Sequence, residues 1–350
     1  MFALAVTLRD VASRAGVSPI VVSRVLHNKA LSIRVAEATA ERVRKAAQDL
    51  GYVKNVAAVN FRTRQTLTIG ILHGLGFDMP TAVGGSRYSE FMLEGIIGGS
   101  FRILLNGIII GAFHHGYSII LCPKLLGQTA EEAMSDGRCD GLVLYNTDHT
   151  EANAEILRKC TVPIVLVHSR ASYFDCKLPS VICDNHQGIG LAVEHLAKLG
   201  HRRVGFVKEA RPLNAEMSER EDAFFAQAHA FGLNVDRSDS IDRQDFDTIF
   251  SRRYTAVITS HDGVAGFLIP AAEARGIRIP EDLSIVGFDS TSYCNELRPT
   301  LTSVRQPLQV LGEHAVDLLV QSIRGELTDP PQLTFPCGFD VRESTSPPAH

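Results

Sequence analysis

The chain has 350 residues, 45% of them hydrophobic and 21% charged; it is long enough to bury a sizeable core and has no apolar run that could span a membrane. The opening MFALAV lacks a basic flank and a cleavage signature, and seven cysteines lie scattered without metal-site spacing, so a reducing cytoplasm is expected rather than export. A formal net charge of −4 hides a division: residues 1–64 hold eleven Lys or Arg against four Asp or Glu, and the rest holds 24 against 35, the pattern of a polyanion-binding head on an acidic soluble body.

Thr7 to His27 reads as two short helices meeting at a turn. Thr7 caps the first with Asp10 in capping-box position, and Gly16 sits at the break. Ser18 caps the second, whose first turn accommodates Pro19. Val11, Ala12, Val17, Val22, Val25 and Leu26 are positioned to close a small core between them. A helix-turn-helix of this kind lays its second helix in the DNA major groove. A third helical pattern runs from about Ala36 to Leu50, with Val43, Ala46, Ala47 and Leu50 on one face and Gly51 as its stop. Tyr52 is expected to pack back on this bundle. In residues 53–66, Asn55 is placed to cap a short helix through Phe61. So few residues are marginal alone, which leaves either a helix formed against a partner or a linker.

From Leu67 strand-length apolar runs alternate with helical patterns. The strands expected are Leu67–Leu72, Ser118–Cys122, Gly141–Tyr145, Pro163–Val167, Val181–Cys183, Val204–Val207, Ala256–Thr259 and Ser284–Phe288. Helices such as Leu104–His115, Ile189–Leu199, Glu219–Phe231 and Val310–Arg324 lie between them. This rhythm predicts an α/β body of parallel sheets covered on both faces, with ligands beyond the carboxyl ends of the strands. Gly76–Arg102, Gly-rich and carrying Phe77, Tyr88 and Phe91, is read as a lid, an added dimer surface or a loose insertion.

TLRDVASRAGVS at Thr7–Ser18, VSRVL at Val22–Leu26, the Leu50-Gly51-Tyr52 helix end, and Asn55 with Ala58 resemble the head and hinge of the lactose-repressor family of bacterial transcription regulators. The body carries that family's landmarks in order: Gly116-Tyr117, Asp140-Gly141, Asp184-Asn185, Gly200-His201-Arg202-Arg203, Val286–Asp289, Thr302–Gln306 and Val341-Arg342-Glu343. The resemblance implies an all-helical helix-turn-helix head and hinge helix, then a two-subdomain, periplasmic-binding-protein-like body with a ligand cleft between the subdomains. On that pattern the head is residues 1–53, the hinge and linker 54–66, the body 67–345 and the tail 346–350. The first lobe would take about 67–168 plus 294–306 and the second about 178–290 plus 309–340, with crossings near 168–179, 290–293 and 305–309.

The resemblance also places function. The DNA-facing set is expected to be Thr7, Leu8, Ser18, Pro19, Ile20, Val21, Ser23, Arg24, Asn28, Tyr52, Asn55, Ala58 and Phe61. Pro19 and Ile20 stand where the family reads base edges, and neither offers a side-chain hydrogen bond, so apolar contacts and Arg24 carry the expectation. Phe61 occupies the position of a minor-groove wedge that is normally leucine. Arg220 matches the family arginine that holds sugar hydroxyls or an acidic group, and Asp289 its hydroxyl-accepting carboxylate. His73, Tyr145, His168, Phe246, His261 and Gln306 complete the expected effector set, with Tyr145, Phe246, Phe288 and Tyr293 the candidates for ring stacking. His168, His261 and Asp289 have no recognised ligand spacing, and neither metal nor cofactor is expected.

The implied function is a transcription regulator, usually a repressor, acting as a homodimer or higher oligomer on double-stranded operator DNA under a sugar-like effector. A non-regulatory carbohydrate receptor is the alternative. No G-x-S-x-G elbow, phosphate loop or H-E-x-x-H speaks for an enzyme. His201 falls on a helix-to-strand connection and is read as structural.

Overall fold

A computed structural model describes residues 6–27, 35–53, 65–73, 99–121, 128–209 and 215–349. They form two compact units, residues 1–65 and 66–350.

The first unit is built by local signals. Helix α1 (Leu8–Ala15) starts with a complete capping box: the Asp10 amide donates to Thr7 Oγ1, and the Thr7 amide and hydroxyl donate to the Asp10 carboxylate. It ends at Gly16 with φ 64°, a left-handed conformation that favours glycine. Helix α2 (Pro19–His27) follows after two residues, and α3 (Glu37–Asp49) closes the bundle. Val11, Ala12, Ala15, Val22, Val43, Ala46 and Ala47 form its core. Tyr52 packs against that core, and its amide donates to the Ala47 carbonyl at 2.8 Å. Of the expected DNA-facing residues, Asn28, Asn55, Ala58 and Phe61 lie outside the described residues, as does the hinge helix expected over 55–61.

The second unit has two six-stranded sheets. The first runs β2 (Ser118–Leu121), β1 (Thr68–His73), β3 (Gly141–Tyr145), β4 (Ile164–Val167), β5 (Ser180–Cys183) and β11 (Gln332–Phe335), all parallel. The second runs β7 (Ser240–Asp242), β6 (Val204–Lys208), β8 (Ala256–Thr259), β9 (Ser284–Asp289), β10 (Thr302–Arg305) and β12 (Gly338–Asp340). Only β12 runs antiparallel to its neighbour there. Between strands lie α4 (Gly99–His115), α5 (Ala130–Ser135), α6 (Glu151–Lys159), α7 (Asn185–Leu199), α8 (Ala215–Ala230), α9 (Phe246–Ser251), α10 (Asp262–Glu273) and α11 (Leu308–Ile323). Among the described residues no helix is long and apolar enough to cross a membrane.

The lobe boundaries differ from those expected. β5 pairs with β4 and β11, so the chain stays in the first lobe through Cys183 and crosses only at Asp184. Residues 290–293 make no crossing, because β10 pairs with β9 in the second sheet. The chain returns at Gln306-Pro307, and α11 belongs to the first lobe, packed on α4 and on β3, β4 and β5. The last crossing lies between Phe335 and Gly338. Glycines decide the α4–α11 docking: a Cβ on Gly107 would sit 2.0 Å from the Gln309 carbonyl oxygen, and one on Gly312 2.3 Å from that of Leu104. The helices therefore meet backbone to backbone, a closeness that hydrophobic periodicity does not reveal.

Of the Gly76–Arg102 segment only 99–102 are described, and they are the first turn of α4, which begins five residues before the predicted Leu104. His201 bonds the Thr255 hydroxyl and the Ser346 carbonyl oxygen, each at 2.9 Å, and so ties the C-terminal strap to the second lobe.

Candidate functional site

Two surfaces carry the candidate residues, one in each unit. On the first, Ser18 caps α2, its hydroxyl accepting from the Val21 amide at 3.4 Å. Ser18 and Pro19 are exposed, Ile20 is 65% exposed, and Val21, Ser23 and Arg24 are half-buried along the same helix. Thr7 is exposed and Leu8 half-buried at the start of α1. Among the described residues of this unit, Ile20 takes no part in the core cluster of the bundle. Half-buried Tyr52 belongs to the bundle, and burial pushes its hydroxyl above the ordinary phenol range.

The second set gathers where strands of both sheets end. Tyr145 closes β3, His168 follows β4, Asp289 closes β9 and Gln306 follows β10. Arg220 reaches them from α8 and is 4% exposed. Its Nη1 lies 3.7 Å from Asp289 Oδ1, and its guanidinium stands 3.8 Å from the centre of the Phe288 ring. Gln306 Nε2 donates to Asp289 Oδ1 at 2.5 Å. Asp289 itself has φ 120°, an unfavourable backbone conformation for a side chain of its size, at the end of β9 where it stays in register with Arg305 of β10.

The electrostatics follow from burial around one cation. Desolvation raises the Asp289 carboxyl, with Arg220 and then His261 pulling it back. Burial, followed by the charge on Arg220, pushes His168 down to about 3, so its imidazole is neutral at physiological pH. The His168 ring lies 5.3 Å from that of Tyr145, which lies 5.4 Å from Phe101. Burial, followed by the charge on Asp289, raises Asp262 to about 7; its carboxyl accepts from the Ser303 hydroxyl at 2.6 Å and the Thr291 amide at 3.1 Å.

His261 caps α10, its Nδ1 accepting from the Gly263 amide at 3.1 Å, and its Nε2 stands 3.5 Å from Glu209. His73 ends β1 in register with Tyr145, and only its backbone is described. The structure places Phe246 elsewhere. Its ring stacks on Phe250 at 6.2 Å with Arg275 5.4 Å above, against the second lobe's own core.

Several contributors were not singled out by the sequence reading. Asn185, first residue of α7, accepts from Arg220 Nε at 3.0 Å and donates to Glu216 Oε2 at 2.6 Å and Glu219 Oε2 at 3.0 Å. The Ser260 carbonyl accepts from Arg220 Nη1 at 2.8 Å. Glu219 also receives Arg170 Nε at 2.5 Å and the Tyr173 hydroxyl, a clasp from the first lobe to the second. Asp184-Asn185 was visible as a landmark, but its partners come from α8 and needed the fold.

Five side-chain atoms at these strand and helix ends are buried yet make no hydrogen bond among the described residues: Thr147 Oγ1, His168 Nε2, Glu216 Oε1, Ser260 Oγ and Gln306 Oε1. Buried polar groups are ordinarily paired, so this cluster is a place built to receive hydrogen bonds from something polar. Among the described residues no group of three or more His, Cys, Asp or Glu is arranged to hold a metal ion.

A family profile described as "Bacterial regulatory proteins, lacI family" matches residues 7–55, and one described as "Periplasmic binding protein-like domain" matches residues 193–345. Catabolite control protein A of Priestia megaterium is 28% identical, over 97% of this chain and 99% of that protein. The ribose operon repressor of Escherichia coli strain K12 is 29% identical, over 91% of this chain and 93% of its own. Among solved structures, a transcriptional regulator CelR–cellobiose complex superimposes with a TM-score of 0.68 at 25% identity, covering 97% of this chain and 99% of that one. The lac repressor dimer bound to operator and the anti-inducer ONPF gives 0.78 at 23% identity over 98% and 100%, a likeness of fold.

Proposed function

The chain belongs to the lacI family of bacterial regulatory proteins, and from that premise we propose that it is a cytoplasmic repressor whose operator affinity is set by a small sugar-like effector in the interlobe cleft. The single observation that carries the effector half is the set of unpartnered polar atoms on residues next to Arg220 and Asp289: His168 after a strand of the first sheet, Ser260 and Gln306 after strands of the second, and Glu216 on α8. The names of the ribose operon repressor and the CelR–cellobiose complex support a sugar as the chemical class.

In this reading residues 1–53 read DNA and residues 54–66 act as the hinge. Two heads of a homodimer meet the half-sites of a near-palindromic operator, because one small helical head makes too few contacts alone. Ile20 and Pro19 offer apolar contact to base edges, while Ser18, Ser23 and Arg24 supply hydrogen bonds to bases or phosphates. Phe61 serves as the minor-groove wedge. Arg220, Asp289, Gln306, His168, Tyr145 and His261 hold the effector, which favours one arrangement of the lobes and thereby one operator affinity; by linkage, operator changes effector affinity equally.

The test is operator selection from a random duplex pool, followed by binding of the selected duplex with and without sugars. The reading predicts a near-palindromic site and at least a severalfold change in affinity with one sugar. A protein that selects no duplex overturns it.

A further inference from the structure

Glu216 is the residue of this cluster that neither the sequence pattern nor the Arg220–Asp289 pair explains. It lies in the first turn of α8, one helical turn before Arg220, and is 2% exposed. Its Oε2 accepts from Asn185 Nδ2 at 2.6 Å and from the Cys183 thiol at 3.7 Å. Its Oε1 is buried with no partner among the described residues. A carboxylate oxygen stripped of water and left unpaired costs stability, which makes it the least expected atom of the cluster unless a ligand supplies a donor.

The remaining atoms agree on polarity. Gln306 donates through Nε2 to Asp289, which fixes its Oε1 as an acceptor, and that atom too has no partner among the described residues. Arg220 uses two of its five N–H donors inside the protein, Nε on Asn185 and Nη1 on the Ser260 carbonyl, and its charge already acts on both Asp289 and Glu216. His168 is uncharged, and the Thr147 and Ser260 hydroxyls can act in either sense. Glu216 and Asp289 thus share one guanidinium, and a further negative charge between them would be repelled at short range in a poorly screened interior.

We propose that Glu216 is a specificity-determining residue: its free oxygen accepts a hydrogen bond from the effector, so that the cleft admits uncharged or basic hydroxyl- or amine-bearing ligands and rejects phosphorylated and carboxylated ones. The assignment rests on the effector-cleft reading above and narrows its ligand class. Burial raises the Glu216 carboxyl while Arg220 and Asn185 hold it down, a balance that an anionic ligand would disturb.

The experiment uses the full chain and three probe sets, followed by thermal shift and calorimetry: neutral pentoses, hexoses and disaccharides; the matching sugar phosphates and uronic acids; and amino sugars. Unliganded melting and circular dichroism establish that each variant is folded. The wild type is expected to be stabilised by a neutral or amino member and not by its phosphate or uronate. Glu216→Ala loses at least about tenfold in affinity for that hit, because a ligand donor is left unpaired. Glu216→Gln removes the charge and leaves one acceptor oxygen, which Asn185 takes, so that an amide NH2 faces the ligand: a ligand hydroxyl can accept from it, an ammonium cannot. This variant holds a neutral hit within about threefold, loses about tenfold for an amino sugar, and gains measurable affinity for the phosphate. Preference of the wild type for a phosphate or uronate overturns the proposal, as does an unchanged affinity in a folded Glu216→Ala variant or a panel with no neutral or amino hit. Sugar binding that falls in Glu216→Ala, by a protein that selects no duplex, supports the Glu216 assignment and overturns the regulator reading, so the two failures are distinct.

Discussion

The helical head and the interlobe cleft solve recognition in opposite ways. On the head, the candidate reading residues are exposed or half-buried on α2, while a separate core of Val11, Val22 and Val43 holds the bundle. In the cleft, Arg220, Glu216 and His168 are buried, and the groups that would meet a ligand also hold one another in place. A surface site can be changed without touching stability. A buried charged site cannot, because removing one partner strands another away from water.

The sharpest way to break this contrast is Arg220→Ala. It leaves Asp289 and Glu216 buried without their shared cation and should cost roughly 3–5 kcal/mol of body stability together with effector binding. Chemical denaturation and effector titration check both, and loss of binding with unchanged stability would abolish the distinction. Next in size, Arg24→Ala should weaken operator binding by about 1–3 kcal/mol while leaving the melting temperature within error. If Arg24 meets a phosphate, the salt dependence of binding falls by about one ion as well.

Proton linkage sharpens the cleft side. His168 binds its proton only near pH 3 in the folded chain, against 6.5 for an ordinary imidazole, so stability is lost as pH falls below about 6.5. Asp262, raised to about 7 from 3.8, keeps a proton that the unfolded chain gives up, so stability is lost as pH rises from about 4 to 7. The two slopes oppose one another between about pH 4 and 6.5. Replacing His168→Gln removes one, and the variant's stability should then fall with rising pH across that window, by up to about 1.4 kcal/mol per unit more than the wild type. Parallel stability–pH curves would show that His168 is not a buried neutral group. Smallest of all, Thr7→Ala removes the α1 cap and should cost the head about 1 kcal/mol. The melting transition of the body should stay where it was.

How far each region could be read in advance follows the same divide. The head's capping box, the Gly16 break and the Val43–Ala47 stripe are contacts between near neighbours, and the structure forms the helices where those residues placed them. Arg220, Asp289 and Gln306 were reachable through strand-end position and family pattern, and the structure brings them together. Phe246 was not, since a ring near a strand end points either to the cleft or to its lobe's core, and here it stacks on Phe250. Glu216 gave no signal, for an acidic residue in the first turn of a helix is ordinary. Its meaning appears only when α7 brings Asn185 beside it and its second oxygen is found unpaired.

By itself the sequence determined the helix-turn-helix, the alternation of strands and helices and the charge division between head and body, because each depends on residue periodicity, capping or composition. Only the tertiary structure decided which sheet each short strand joins, that α11 leaves the second lobe for the first, and which buried atoms find no partner. A run of four buried residues such as β5 fits the middle of either sheet equally well. Pairing partners and desolvation are properties of residues far apart in the chain, and they exist only once it has closed on itself.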